Sequence, residues 1–274
     1  MVELSDNAVI VLEARYLVRD EHGKIIETPS DMFRRVANAV AVAEHDDYQY
    51  SVWADRFYRA MTSLEFMPNS PTLMNAGLPK AQLSACFVCG IEDSMESIFE
   101  ALKKAALITK SGGGVGFDFS SLRPEGAQVK STAGVASGPI SFMKVFDGAI
   151  DAIKQGGRRR GACMGILRVD HPNIFEFITC KAEDKILSNF NISVAVTDEF
   201  MDALNAGRPF PLRFGGKTYK TVDPQRLWDL IVHQAWLNGE PGVVFIDVIN
   251  EHNPVPHLGR IASVNPCGRL YCLR

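Results

Sequence analysis

Val264-Asn265-Pro266-Cys267-Gly268, near the end of the sequence, has the residue types of a reactive-thiol loop. Proline fixes its own φ and restricts the residue before it, while glycine permits a tight turn. Cys267 is thereby pinned on a rigid loop, and the amide of Asn265 lies where it could hydrogen-bond a substrate hydroxyl. The plainer alternative is a buried cysteine in a turn, since free cysteine often packs as a small hydrophobe. Met67-Pro68-Asn69-Ser70-Pro71-Thr72-Leu73-Met74-Asn75-Ala76-Gly77 cannot form a long helix; it is either an ordinary loop or one that offers hydroxyls and backbone N–H groups to a ligand. Ser84-Ala85-Cys86-Phe87-Val88-Cys89-Gly90 reads as a short apolar strand. Its two cysteines fall on opposite faces and do not make an easy redox pair. The run Ser111-Gly112-Gly113-Gly114-Val115-Gly116 brings backbone close to something, and phosphate or sugar suits such an approach. It lacks the Lys-Ser/Thr of a P-loop and the full dinucleotide spacing. Gln155-Gly156-Gly157-Arg158-Arg159-Arg160-Gly161-Ala162 is a cationic loop between glycines, suited to an anionic ligand. Cys86, Cys89, Cys267 and Cys272 fit a zinc pattern loosely.

The elements that must position these residues are legible in outline. Thr28-Pro29-Ser30-Asp31 starts a helix whose Met32, Val36, Val40 and Ala43 follow helical spacing. A second helix is expected over residues 50–64, with Trp53, Phe57, Met61 and Leu64 facing the core. Asp93-Ser94-Met95-Glu96 reads as a capping box for a helix through Leu107, and residues 139–154 read as another helix. From there strands and helices alternate: a strand over 191–196, a helix capped at Thr197, a helix from Asp223-Pro224 to Asn238-Gly239, and a strand over 242–247. Such alternation argues for an α/β domain with parallel strands, where ligands sit at the carboxyl ends. Asn250, His252 and Asn253 follow one strand end, and Cys267 is expected to follow another. The 274 residues are 46% hydrophobic and 22% charged with net charge −3, which argues against a general nucleic-acid surface. Six cysteines without an apolar leader suggest a reducing cytoplasm. No apolar run reaches bilayer length.

Taken together and in order, segments 67–77, 84–97, 111–123, 130–154, 155–165, 191–201, 242–256 and 265–268 resemble the large catalytic subunit of ribonucleotide reductase, closest to the adenosylcobalamin-dependent class II enzymes. The resemblance implies a mainly helical N-terminal domain over 1–80, followed over 81–274 by the first, incomplete part of an α/β barrel. It implies reduction of a ribonucleotide, written as a ribonucleoside diphosphate, by thiyl-radical chemistry. In that reading Cys267 matches the cysteine that becomes the thiyl radical and takes the ribose 3′ hydrogen. Asn265 matches the neighbouring substrate-binding asparagine, and Cys86 one member of the redox pair. Ser70, Thr72, Ala85 and Gly114 match positions lining the substrate pocket. Asp93, Arg123, Gln155, Arg159 and Arg160 match the site where a dNTP or ATP effector selects the base, at a homodimer interface. The implied cofactor is adenosylcobalamin, and the implied reductant a dithiol such as thioredoxin.

The sequence departs from the family pattern. Arg269 stands where the family has a glutamate after Asn-Pro-Cys-Gly, and an arginine cannot serve as a carboxylate base. Cys272 is too near Cys267 to match the second redox cysteine, and residues 269–274 look unlike the family. The expectation is therefore an N-terminal portion with little activity alone. The alternative is a non-catalytic nucleotide-binding piece that assembles with a separately encoded C-terminal portion.

Overall fold

Capping side chains set most of the helix starts. The computed structural model describes residues 3–79, 82–129, 134–153, 161–182, 186–268 and 271–273, in two units, Met1–Ala85 and Cys86–Arg274. The first holds α1 (Asp6–Arg15), α2 (Pro29–Ala41), α3 (Asp47–Thr62) and α4 (Ser70–Asn75). Thr28 Oγ1 accepts from the Asp31 N–H at 3.3 Å, and an Asp31 carboxylate oxygen accepts from the Thr28 N–H at 2.9 Å, a reciprocal cap. The buried stripe of α2 is Met32, Phe33, Val36 and Ala37. Val40 and Ala43 were expected inside and are exposed: Val40 sits in the last turn of α2 away from the buried stripe, and Ala43 lies past its end at Ala41. Leu64 likewise lies past the end of α3, exposed and at φ 61°. Arg35, paired with Glu27 at 2.8 Å, donates to the carbonyls of Ala76 at 2.5 Å and Leu73 at 3.2 Å, tying the Pro-rich segment to α2. That segment contains one short helix, as its prolines require.

The second unit is built on a five-stranded parallel sheet of β1 (Cys86–Cys89), β2 (Gly114–Asp118), β5 (Cys163–Arg168), β6 (Phe190–Val196) and β9 (Gly242–Phe245), hydrogen-bonded in that order with β1 and β9 at the edges. Helices α5 (Met95–Lys110), α6 (Pro139–Ala152), α7 (Ile174–Thr179), α8 (Asp198–Asn205) and α9 (Pro224–Asn238) alternate with these strands, as α/β chain order demands. Between them come two short paired strands, β3 (Gln128–Val129) and β4 (Gly134–Val135), and a hairpin, β7 (Phe210–Phe214) with β8 (Lys217–Val222). The last strands, β10 (Ile261–Val264) and β11 (Tyr271–Leu273), form an antiparallel pair. The expected strand over 242–247 is shorter, because α10 (Ile246–Glu251) begins inside it. The cap of α5 is Ser94, whose Oγ accepts from Ser97 N–H at 3.1 Å, so Ser97 takes the position expected of Glu96.

Period-two alternation divides the sheet into two faces. Val115, Phe117, Cys163, Leu167, Phe190, Ile192 and Val194 point to the helices and form the main core. There Phe117, Phe119, Phe146 and Phe190 pack as a ring cluster with centroids 5.0–6.4 Å apart. Met164, Ile166, Ala195 and Val244 point to the other, inner face and pack with Val264 of β10. The amino ends of β6 and β9 are tied by Lys181, which donates to the Phe190 carbonyl and to Glu240 at 2.9 Å, while Glu240 accepts from the Ile192 N–H at 3.1 Å. Both side chains are about four-fifths covered, so removing one leaves the other charge under-solvated. Lys181→Met should therefore cost about 2 kcal/mol, read as a lower urea midpoint. The double variant with Glu240→Leu should lose less than the sum of the two single changes.

Candidate active site

Two glycines of β2 make the seat on which the thiol loop rests. A Cβ on Gly116 would stand 1.8 Å from the Val264 carbonyl oxygen, and one on Gly114 would stand 2.8 Å from Pro266 Cγ. The backbone of β10 thus lies directly on β2, closer than any side chain would allow. The close approach expected of the glycine run is made here by the chain's own Val264 and Pro266. Val264 lies over the third residue of β2 and Pro266 over the first, so β10 runs against β2 towards the amino ends of the parallel strands. Cys267 therefore sits at those amino ends. The expectation of carboxyl ends fails because β10 belongs to a hairpin laid across the inner face rather than to the parallel sheet.

Asparagine amides hold this loop. Asn191 Nδ2, on β6, donates to the Pro266 carbonyl at 2.7 Å. Asn250 Oδ1 accepts from the Ile261 N–H at 2.8 Å, while its Nδ2 donates to the carbonyls of Ile261 and Ile246, each at 2.8 Å. Asn253 bonds the Gly259 carbonyl at 2.9 Å. Of the residues expected to follow a strand end, Asn250 and Asn253 therefore brace the entry to β10 instead, while His252 is exposed and bonds the Val248 carbonyl. At the tip, Gly268 at φ 66° donates its N–H to the Asn265 carbonyl at 2.9 Å and closes the turn. Asn265 is 1% exposed and donates Nδ2–H to Cys267 Sγ at 2.9 Å, whereas Cys267 itself is exposed. A buried amide thus orients an accessible sulfur, the arrangement a reactive thiol needs.

Cys86 pairs in register with Gly114, so its side chain shares the inner face and the same end of the sheet. Cys89 points the other way into the helical core, as the alternation requires. Burial raises the Cys89 thiol, and it pushes Cys163 and Cys180 up to about 12, with Asp147 adding to the effect at Cys163 and Lys181 opposing it at Cys180. Those three are packing groups; Cys86 and Cys267 are the thiols available for chemistry among the described side chains. The opposed faces of Cys86 and Cys89 also separate two members of the zinc alternative, and no group of three His, Cys, Asp or Glu among the described residues could hold a metal ion.

A second constellation lies at the carboxyl ends of β1 and β2. Arg123 donates Nε–H to Asp93 Oδ2 at 2.7 Å and its backbone N–H to Oδ1 at 3.2 Å. The pair borders a cleft of about 640 Å³ walled by the first turn of α5 and by Ser137 and Gly138 at the start of α6. Gly138 gives α6 no side-chain cap, so the N–H groups of that first turn lack a side-chain acceptor there. Arg123 is positioned through His171, which is buried and uncharged: Nδ1 accepts from the Asn173 N–H at 3.1 Å, and Nε2 donates to the Leu122 carbonyl at 2.9 Å. Desolvation lowers its pKa below the ordinary 6.5. Gln155, Arg159 and Arg160 lie outside the described residues, as does Arg269. Ser70, Thr72 and Ala85 belong to the N-terminal unit. There Ser70 Oγ meets Tyr16 OH at 3.0 Å, Thr72 Oγ1 donates to the Leu83 carbonyl at 2.9 Å, and Ala85 is half-buried. Sequence reasoning missed Asn191 and His171. The signal for the first was a polar residue at an inward position of a buried strand.

The sequence profile of the ribonucleotide reductase all-alpha domain matches residues 2–81, and that of the ribonucleotide reductase barrel domain matches residues 84–271. The chain is 46% identical over 327 residues to a vitamin B12-dependent ribonucleoside-diphosphate reductase of Thermoplasma acidophilum, covering 97% of this chain and 43% of the relative. It is 46% identical over 275 residues to a protein of the same name from Mycobacterium tuberculosis, covering 98% of this chain and 40% of that one. The ribonucleoside-diphosphate reductase large subunit of Arabidopsis thaliana is 32% identical over 286 residues, covering 93% of this chain and 34% of the relative. The chain spans about two fifths of the length of the B12-dependent relatives.

The glycine seat and the buried histidine each carry a test. Gly116→Ala should cost about 1–3 kcal/mol by forcing β10 off β2. Gly148→Ala, in α6 where nothing stands near the new Cβ, should instead raise the urea midpoint. His171 binds its proton more weakly folded than unfolded. Stability is fully present above about pH 6.5 and falls as the pH drops below it, because the unfolded chain takes up the proton first. Urea melts at pH 7.5 and 5.5 should show that loss, and His171→Gln should reduce the difference.

Proposed function

The chain belongs to the ribonucleotide reductase family, and from that premise we propose that it carries the radical-thiol half of a vitamin B12-dependent active site together with an effector-nucleotide cleft. The observation that supports this most directly is the Asn265–Cys267 contact, at the same end of the sheet's inner face as Cys86. The substrate is a ribonucleotide, taken as the diphosphate. The proposed sequence begins with Cys267, as a thiyl radical, taking the ribose 3′ hydrogen atom, which it returns to C3′ in the last step. The 2′ hydroxyl then leaves as water, with two electrons and two protons supplied by Cys86 and a thiol of an added dithiol, which end as a disulfide. A thioredoxin-like dithiol resets that disulfide. Asn265 orients the sulfur, and Asn191 holds the carbonyl before it. Adenosylcobalamin supplies the radical-generating chemistry when bound. The exposed Cys267 sulfur is the group of this chain that fits it, since a bulky cofactor needs an accessible thiol.

A second reading is favoured by one observation: the Asp93–Arg123 cleft lies wholly within the second unit. In that reading the chain binds a dNTP or ATP effector without turnover, as a homodimer or with a separate C-terminal polypeptide. No helix among the described residues is long and apolar enough to cross a membrane.

Deoxynucleotide formation with adenosylcobalamin and dithiothreitol, followed by chromatography, separates the readings. Turnover is expected to be slow, since Arg269 replaces a glutamate, and to vanish in Cys267→Ser and in Cys86→Ser while dNTP binding by equilibrium dialysis persists. Turnover indifferent to Cys267→Ser sinks the radical-thiol reading. Binding without any turnover leaves the effector module.

A further inference from the structure

The β7–β8 hairpin has no part in the thiol site. Its two-residue turn, Gly215-Gly216 at φ 57° and 77°, is the positive-φ pair that a tight hairpin requires. This geometry places Lys217 at the first position of the returning strand. Lys217 Nζ sits 5.0 Å from the centre of the Tyr219 ring, within cation–π range.

The hairpin is anchored to the same histidine as Arg123. The Arg213 N–H donates to the Asp170 carbonyl at 2.6 Å, and the Phe214 ring meets His171 edge-on with centroids 5.7 Å apart. His171 in turn bonds the carbonyl of Leu122, next to Arg123. Lys217 and Arg123 are thus carried by two segments that pack on one buried ring. Between them opens a cleft of about 1010 Å³, lined by Arg123, Gln128, Lys217 and Tyr219 among others. The carboxylate in its wall is Asp93, which Arg123 already engages. This cleft and the 640 Å³ cleft beside α5 share the Asp93–Arg123 pair. The α5 side adds Ser94, Glu96 and Ser137, which suit sugar hydroxyls, while the hairpin side adds a cation and an aromatic ring.

A nucleoside triphosphate has that same polarity, neutral at one end and strongly anionic at the other. We infer that the polyphosphate chain of the effector crosses Arg123 into the hairpin cleft and is held there by Lys217 with Tyr219. This rests on the Asp93–Arg123 cleft being the effector site. Charge-assisted contact to a phosphate oxygen is worth enough to matter for affinity, and it makes binding salt-dependent.

The test is equilibrium dialysis of the full chain with a dNTP, with the matching deoxynucleoside and with inorganic triphosphate. Lys217→Ala is expected to weaken the dNTP about tenfold, and Lys217→Glu further, with Lys217→Arg restoring most of it. Weak binding of the deoxynucleoside should not change, and inorganic triphosphate should compete with the dNTP. Far-ultraviolet circular dichroism of each variant checks the fold, which an exposed hairpin residue should leave intact. Unchanged dNTP affinity in Lys217→Glu overturns the hairpin subsite and leaves the effector reading standing. Lys217-dependent triphosphate binding that does not compete with dNTP overturns it too, marking a separate anion site. Failure of the wild-type chain to bind any dNTP removes the effector reading and the subsite with it.

Discussion

Backbone lying on backbone, where β10 crosses β2, is the contact on which the thiol loop of the second unit depends. A hairpin can rest on the inner face of a sheet at that distance only if the strand below lacks side chains there, and Gly114 and Gly116 supply the gap. The intervening Val115 still points to the helical core and is fully buried, so β2 serves both faces through alternation alone. Shifting β2 by one residue would put Val115 and Phe117 under β10 and leave two glycines in the core. The same alternation that builds the core therefore fixes where Cys267 stands.

Alternation also sorts the cysteines. Cys86 and Cys89 differ in strand position by three, and that odd number sends one to the open face and the other to the packed one. On the packed face burial raises the thiols of Cys89 and Cys163 and removes them from chemistry at neutral pH. On the inner face Cys86 and Cys267 stay accessible. The paired register of Cys86 with Gly114, on whose site Pro266 rests, brings the two thiol-bearing segments to one end of the sheet without any direct bond between them.

Much of this was legible in residue types. Pro266 and Gly268 announced a fixed loop, Thr28 and Thr197 announced helix starts, and the opposite faces of Cys86 and Cys89 followed from strand geometry. The direction of β10 was not legible, because an apolar run such as Ile261-Ala262-Ser263-Val264 reads the same in a parallel sheet and in a crossing hairpin. The occupant of the glycine run was also hidden: missing side chains show that something comes close, not whether it is phosphate or another strand. The β7–β8 hairpin escaped notice because Lys217-Thr218-Tyr219-Lys220-Thr221 is exposed and alternates little in polarity. Ala43 and Leu64 were misplaced for a simpler reason, since helical spacing was extended past the residues where the helices stop.

Asparagine recurs around the thiol loop, and its chemistry explains why. A crossing hairpin has only one partner strand, so part of its backbone must find other hydrogen bonds. A side-chain amide carries both a donor and an acceptor, as a peptide group does. Asn250 uses both on Ile261, accepting from its N–H and donating to its carbonyl, and so takes the place of a neighbouring strand. Asn191 supplies the donor that Pro266 needs for its carbonyl, while Pro266 itself has no N–H to satisfy. Asn265, buried at the tip, turns its donor to sulfur. Aspartate at any of these positions would offer acceptors where donors are required, and at Asn265 it would bury a charge besides. The loop is thus specified by amides at three points, and the thiol it carries is exposed without being loose.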